Sequence, residues 1–123
     1  MIKNYFLISL LFILIDAIYL SLASNYFNKQ IKLIQGSKIK LNPLSTFLCY
    51  IFLTFGISYF IIYQKITPYQ SFFLGLYVYG VYETTNHAIL KDWKWSTVFM
   101  DTIWGAILFS LVTYFYYKII KLI

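Results

Sequence analysis

From Pro43 to Tyr63 the chain carries no charged residue, and that run fixes most of what it can fold into. A bilayer core of about 30 Å is crossed by an α-helix of roughly 20 predominantly apolar residues. Inside lipid a backbone must satisfy its own polar groups, so a single segment of this length spans as a helix. Three similar runs accompany it, giving expected spans at about residues 4–22, 43–63, 69–90 and 97–120. The expected fold is all-α: residues 1–123 form a single polytopic transmembrane domain of four helices.

Composition supports that class. Charged residues make up 11% of the chain and apolar ones 61%, whereas a soluble domain carries about a quarter charged residues. The aromatic share of 23% suits long contacts with lipid and its interfaces. Ten lysines and no arginine give a net charge of +6, but the lysines flank the apolar runs instead of forming a stripe or groove. Headgroups of a lipid bilayer are therefore the expected partner, and nucleic acid is not. Cys49 stands alone, which excludes an intramolecular disulfide and reads as a small apolar packing residue.

The first run could be mistaken for a cleaved signal peptide. Asp16 interrupts it, and it is longer than a signal core, so a retained helix is expected. Ser9, Asp16 and Ala23 share one face of that helix and should look towards other helices. The basic connector from Ser24 to Leu41 reads equally as a short interfacial helix, with Phe27, Ile31 and Ile34 on one side, or as a solvated loop. Gly36-Ser37 would end any helix there. Asn42-Pro43 and Thr67-Pro68 are start signals for the second and third helices, and Ser96 is a candidate cap for the fourth. Ser45, Cys49, Phe52 and Gly56 form a face suited to helix packing, and Trp93 and Trp95 suit interfacial anchoring. Four spans place both termini on one side, with orientation open because the lysines divide almost evenly between the two sides.

Function should be sought where acids enter the apolar runs, because intramembrane carboxylates are costly and are kept for a purpose. Asp16, Glu83 and Asp101 do so, while Asp92 lies in a turn and needs only solvation. Counted from their helix ends, the three lie roughly 9, 10 and 7–8 Å deep, all measured from the same side. Three helices thus contribute one acid each to a single layer. No lysine lies within the spans to pair with them. Protonation, hydrogen bonding to neighbours such as Tyr79, Tyr82, Thr85, Asn86 or Trp104, or a bound cation can each compensate the charge. Glu83 and His87 are four residues apart, so Asp16, Glu83, His87 and Asp101 form a candidate metal set. Against it, a lone histidine near a span end is more often an interface residue. Gly105, one turn beyond Asp101, would let another helix approach closely.

LIDAIYL (Leu14 to Leu20), VYETTN (Val81 to Asn86) and WKWSTVFMDTIWG (Trp93 to Gly105) resemble motifs of a bacterial family of small predicted membrane proteins, domain of unknown function 2177. The resemblance covers nearly the whole length. It implies a four-helix membrane protein and marks Asp16, Tyr82, Glu83, Thr85, Asn86, Trp93, Asp101, Trp104 and Gly105 as motif positions. Two departures stand out: Glu83 replaces the family's usual Asp, and His87 replaces an apolar residue, which weakens the metal reading. The family supplies no activity. Three readings remain: a small bundle, self-associated, that binds or moves a proton, cation or small polar solute through its acidic layer; a structural or accessory membrane protein whose acids lock helices together; and a lipid-modifying enzyme or its partner. No phosphate loop, zinc motif or nucleophile elbow is present, so a non-enzymatic role is the expectation. No cofactor is evident beyond a cation held by the acids.

Overall fold

The computed structural model describes residues 2–121, and all the regular secondary structure among them is helical. Helix α1 spans Ile2–Gln35, α2 Pro43–Ile57, α3 Pro68–Ile89 and α4 Trp95–Ile119. The last turn of the second helix, Ser58–Ile62, is π-helical. There Tyr63 N–H bonds back to Ser58 and Ile66 N–H to Ile61, each five residues upstream. The turn that follows is braced from α4, whose Tyr117 hydroxyl donates to the Ile66 carbonyl at 2.7 Å.

Helix α1 does not stop where its apolar run does. The connector expected as a loop or a short separate helix is instead a continuation of α1 to Gln35. Nothing between Ser24 and Gln35 breaks a helix, since neither Gly nor Pro occurs until Gly36. Gly36 ends it by adopting a φ of +79°, a left-handed conformation that costs glycine little. At 34 residues α1 is about 51 Å long, well beyond a bilayer core. The strap 36–42 then returns to the start of α2.

The other helix starts follow their caps. Asn42 accepts from Ser45 N–H with Pro43 at the first position. Thr67 and Gln70 form a reciprocal capping box ahead of Pro68. For α4 the cap differs from expectation: Lys94 occupies the capping position, and the Ser96 hydroxyl is engaged instead by Tyr26.

Cross-helix contacts run antiparallel. Ser9 meets Thr54 and Asp16 meets Tyr50 between α1 and α2. Asp16 meets Trp104 and Tyr26 meets Thr97 between α1 and α4, and Ser71 meets Thr113 between α3 and α4. Helices α1 and α4 form the central pair, with α2 against α1 and α3 against α4. The closest packing is between α3 and α4. A Cβ on Gly75 would lie 2.3 Å from the Gly105 carbonyl, and one on Gly105 2.1 Å from the Tyr79 ring. Small residues at both positions are what let these helices touch.

The apolar core, built from Ile8, Phe12, Ile57, Ile61, Leu108, Phe109, Val112, Tyr116 and Tyr117, fills the half of the bundle nearest the chain ends. The packing face expected on α2 is not used: Ser45, Cys49 and Phe52 are exposed, and nothing lies within 4 Å of a Cβ at Gly56. Helix α2 instead buries Thr54, Ile57, Ser58 and Ile61, on the side where Ser9 of α1 bonds to Thr54 and where Ile57 and Ile61 join Ile8 and Phe12 in the apolar core. Three segments are long and apolar enough to cross a membrane: Lys3–Gln35, Pro43–Ile62 and Trp95–Ile119. Helix α3 has the length, but the polar run Tyr82 to His87 near its end keeps it out of that set.

Candidate functional site

The half of the bundle opposite the core holds a cleft of about 680 Å³. One wall is the second half of α1, another the strap, and the rest comes from α3, Trp93 and Asp101. Asp16, Glu83 and Asp101 all line it. They are buried to 9%, 1% and 8% exposure, so each carboxyl depends on the protein for most of its hydrogen bonds.

Those bonds come from aromatic side chains. Asp16 accepts from the Tyr50 hydroxyl at 2.8 Å on one oxygen and from the Trp104 indole N–H at 3.0 Å on the other. It therefore joins α1, α2 and α4. Asp101 accepts from the Tyr19 hydroxyl at 3.1 Å, and the Tyr19 ring lies flat on Trp104 with centroids 4.5 Å apart. Glu83 accepts from the Trp93 indole N–H at 2.8 Å. The Glu83 and Asp101 carboxyls are direct neighbours across the α3–α4 seam. Every donor in these bonds is neutral. The second oxygens of Glu83 and Asp101 receive no N–H or O–H from a neighbouring aromatic or amide group, and the two carboxyls lie within hydrogen-bonding reach of each other, so one proton can be shared between them.

A second polar knot fixes the helix starts around the cleft. Gln30, 2% exposed, donates to the Asp92 carbonyl at 2.9 Å. Its own carbonyl oxygen accepts from Lys94 N–H at 3.0 Å and from the Thr97 hydroxyl at 2.7 Å. One amide thus clamps the long end of α1 to the turn before α4. Asp92, expected to serve only solvation, holds that turn in a left-handed conformation at φ +67°, which short polar side chains tolerate.

The residues named from sequence divide clearly. Asp16, Tyr82, Glu83 and Asp101 line the cleft, and Trp104 supports it by holding Asp16 and stacking on Tyr19. Thr85 is exposed and Asn86 half-buried, and neither lines it. His87 turns away to stack on Trp95, centroids 3.9 Å apart. Among the described residues no three His, Cys, Asp or Glu side chains come close enough to share a metal ion, so the set Asp16, Glu83, His87 and Asp101 is not gathered as a metal centre. Trp93 is no interfacial anchor: it is 7% exposed and spends its N–H on Glu83, while Trp95 is 56% exposed.

Sequence reasoning missed Tyr19, Tyr26, Tyr50 and Gln30. A signal for three of them was present, since Asp16, Tyr19, Ala23, Tyr26 and Gln30 recur at alternating three- and four-residue spacing on one helical face. For Tyr26 and Gln30 that signal depends on reading α1 as one helix past Leu22.

The chain belongs to the family described as predicted membrane protein (DUF2177), whose model matches residues 1–118. No curated protein and no solved structure matches it.

Proposed function

We propose, with membership of that membrane-protein family as the premise, that the chain crosses the bilayer four times and binds a proton or cation at the acidic cleft. The observation that carries this is the charge pattern: three buried carboxyls from three helices, each hydrogen-bonded only by neutral donors, around a cleft with room for an occupant. A buried carboxylate is stable in lipid when a proton, a cation or a full set of donors compensates it. Asp16 has donors on both oxygens, whereas Glu83 and Asp101 each have a donor on one only. In this reading Glu83 and Asp101 hold the proton or cation between them, and Asp16 holds the helices. Antiparallel packing of α3 on α4 supports counting α3 as the fourth span despite its polar end. Passage of the cation across the whole membrane would need several copies of the chain side by side, because the apolar core closes the far half of this one.

The test is a melting series of the purified full chain in a nonionic detergent, over pH and a panel of monovalent and divalent cations. A ligand that binds only the folded state stabilises it by about 2.7 kcal/mol at a hundred times its dissociation constant. A cation-dependent rise in Tm that disappears in Asp101→Asn supports the reading, and a flat response in both proteins sinks it.

The structural reading keeps one specific observation in its favour, the complete satisfaction of Asp16. If Asp16→Asn melts far lower while cation responses stay intact, that division of roles holds.

A further inference from the structure

The cleft is far larger than a bare ion needs. At about 680 Å³ it falls within the range of sites that enclose small organic ligands. Its walls are also of two kinds. Near the carboxyls stand the aromatic rings of Tyr19, Tyr79, Tyr82 and Trp93. Along the rest of its lining run Leu20, Phe27, Ile31, Ile39 and Leu41, contributed by α1 and the strap. Carboxyls flanked by aromatic rings suit an organic ammonium group, because the acids attract its charge and accept its N–H groups while the rings cover its carbon atoms. The apolar wall has no use in binding an inorganic cation, but it would cover a hydrocarbon chain.

A second observation points the same way. Glu83 and Asp101, both more than nine-tenths buried and both lining the cleft, face each other there as two acids within hydrogen-bonding reach, with no cationic or neutral donor of the protein on their second oxygens. An ammonium group carries several N–H donors and a positive charge, so it would satisfy both at once. Lys40, on the strap, also lines the cleft but is exposed and free to extend into water.

We propose that the cleft is a binding site for an amphipathic amine: an ammonium group seated between Glu83 and Asp101, carrying an apolar chain that lies against Phe27, Ile31 and Ile39. This rests on the cation reading above and adds the class of ligand. The ammonium can belong to a free alkylamine or to the headgroup of an aminophospholipid, and the chemistry recognised is the same.

The experiment measures binding to the full chain in nonionic detergent by tryptophan fluorescence, in a Trp95→Phe background that leaves Trp93 and Trp104 as reporters. The probes are methylamine, hexylamine, decylamine, hexanol and lysophosphatidylethanolamine, with potassium chloride for ionic strength. Each methylene buried should tighten binding about fourfold. Hexylamine should therefore bind at least tenfold tighter than both methylamine and hexanol, with the gain over hexanol lost in Glu83→Gln. Ile31→Ser tests the wall separately: it should flatten the dependence on chain length while methylamine binding stays. If methylamine and hexylamine bind equally, the amphipathic assignment is overturned and the cation reading survives. If hexanol equals hexylamine, the site is merely apolar and the proposal fails. If no amine and no inorganic cation binds, both readings fall together. Stronger binding of lysophosphatidylethanolamine than of decylamine would support a lipid source, and the reverse a free amine.

Discussion

Removing the indole N–H that Trp93 gives to Glu83 should be felt through the buried carboxyl and not through the loss of ring area. Trp93 is 7% exposed, Glu83 is 1% exposed, and the bond between them is 2.8 Å long. Side-chain hydrogen bonds within membrane proteins average about 0.6 kcal/mol in double-mutant cycles and reach about 1.7. An ionised acceptor roughly doubles the strength of such a bond. The coupling expected between Trp93 and Glu83 is therefore about 1–2 kcal/mol. It is measured by a cycle of wild type, Trp93→Phe, Glu83→Leu and the double variant, each unfolded by denaturing detergent in mixed micelles and followed by helical circular dichroism. Trp93→Phe alone should lower stability by about 2 kcal/mol or more, since it also leaves a carboxyl oxygen unpaired. In the Glu83→Leu background most of that cost should vanish. Trp95→Phe is the control, because Trp95 is exposed and touches His87 and Phe99 instead of an acid. Zero coupling, or an equal cost for Trp95→Phe, would refute the assignment of Trp93 to the site.

Other outcomes follow from the same geometry. Gly105→Ala should destabilise by about 1–3 kcal/mol, the usual cost of overpacking, while Gly56→Ala should be neutral or slightly stabilising; thermal melts of the pair decide this. Gln30→Leu breaks three hydrogen bonds at the junction of α1 with the turn, so hydrogen exchange should speed up around residues 91–97 with little change around the apolar core. Lys40→Gln removes the lysine that lines the cleft and should raise cation affinity by a few-fold at low salt, an advantage that fades as salt is added. Cation-induced stabilisation should weaken steadily as pH is lowered, because protons neutralise the same carboxyls, and a melt series at fixed cation concentration would show it.

What the chain's letters made legible was set by chemistry that acts locally. Charge-free runs, Asn-Pro and Thr-Pro starts and Gly36 as a stop act within a few residues, so the helices could be placed from them. That Asp16, Glu83 and Asp101 come to one cleft was legible too, because helical rise converts sequence spacing into height along each helix. The extension of α1 beyond Leu22 was hidden by treating hydropathy as though it marked helix ends. It marks lipid depth, and Ser24 to Gln35 is polar yet still helical. That one error concealed Tyr26 and Gln30, which lie on the extension. Trp93 and Trp95 were indistinguishable by composition, since only the turn after α3 decides which indole swings inward. The face of α2 chosen for its small residues failed for a related reason. Small residues permit close approach but do not compel it, and the neighbouring helix met the Thr54–Ile61 side instead.

Infrared difference spectra of the full chain, recorded as a cation or an alkylamine is added, report directly on the carboxyl groups. The account predicts a change in carboxyl and carboxylate bands on addition, reduced in both Glu83→Gln and Asp101→Asn and unchanged in His87→Ala. Spectra that show no carboxyl change, or a change that persists when both acids are replaced, would contradict it.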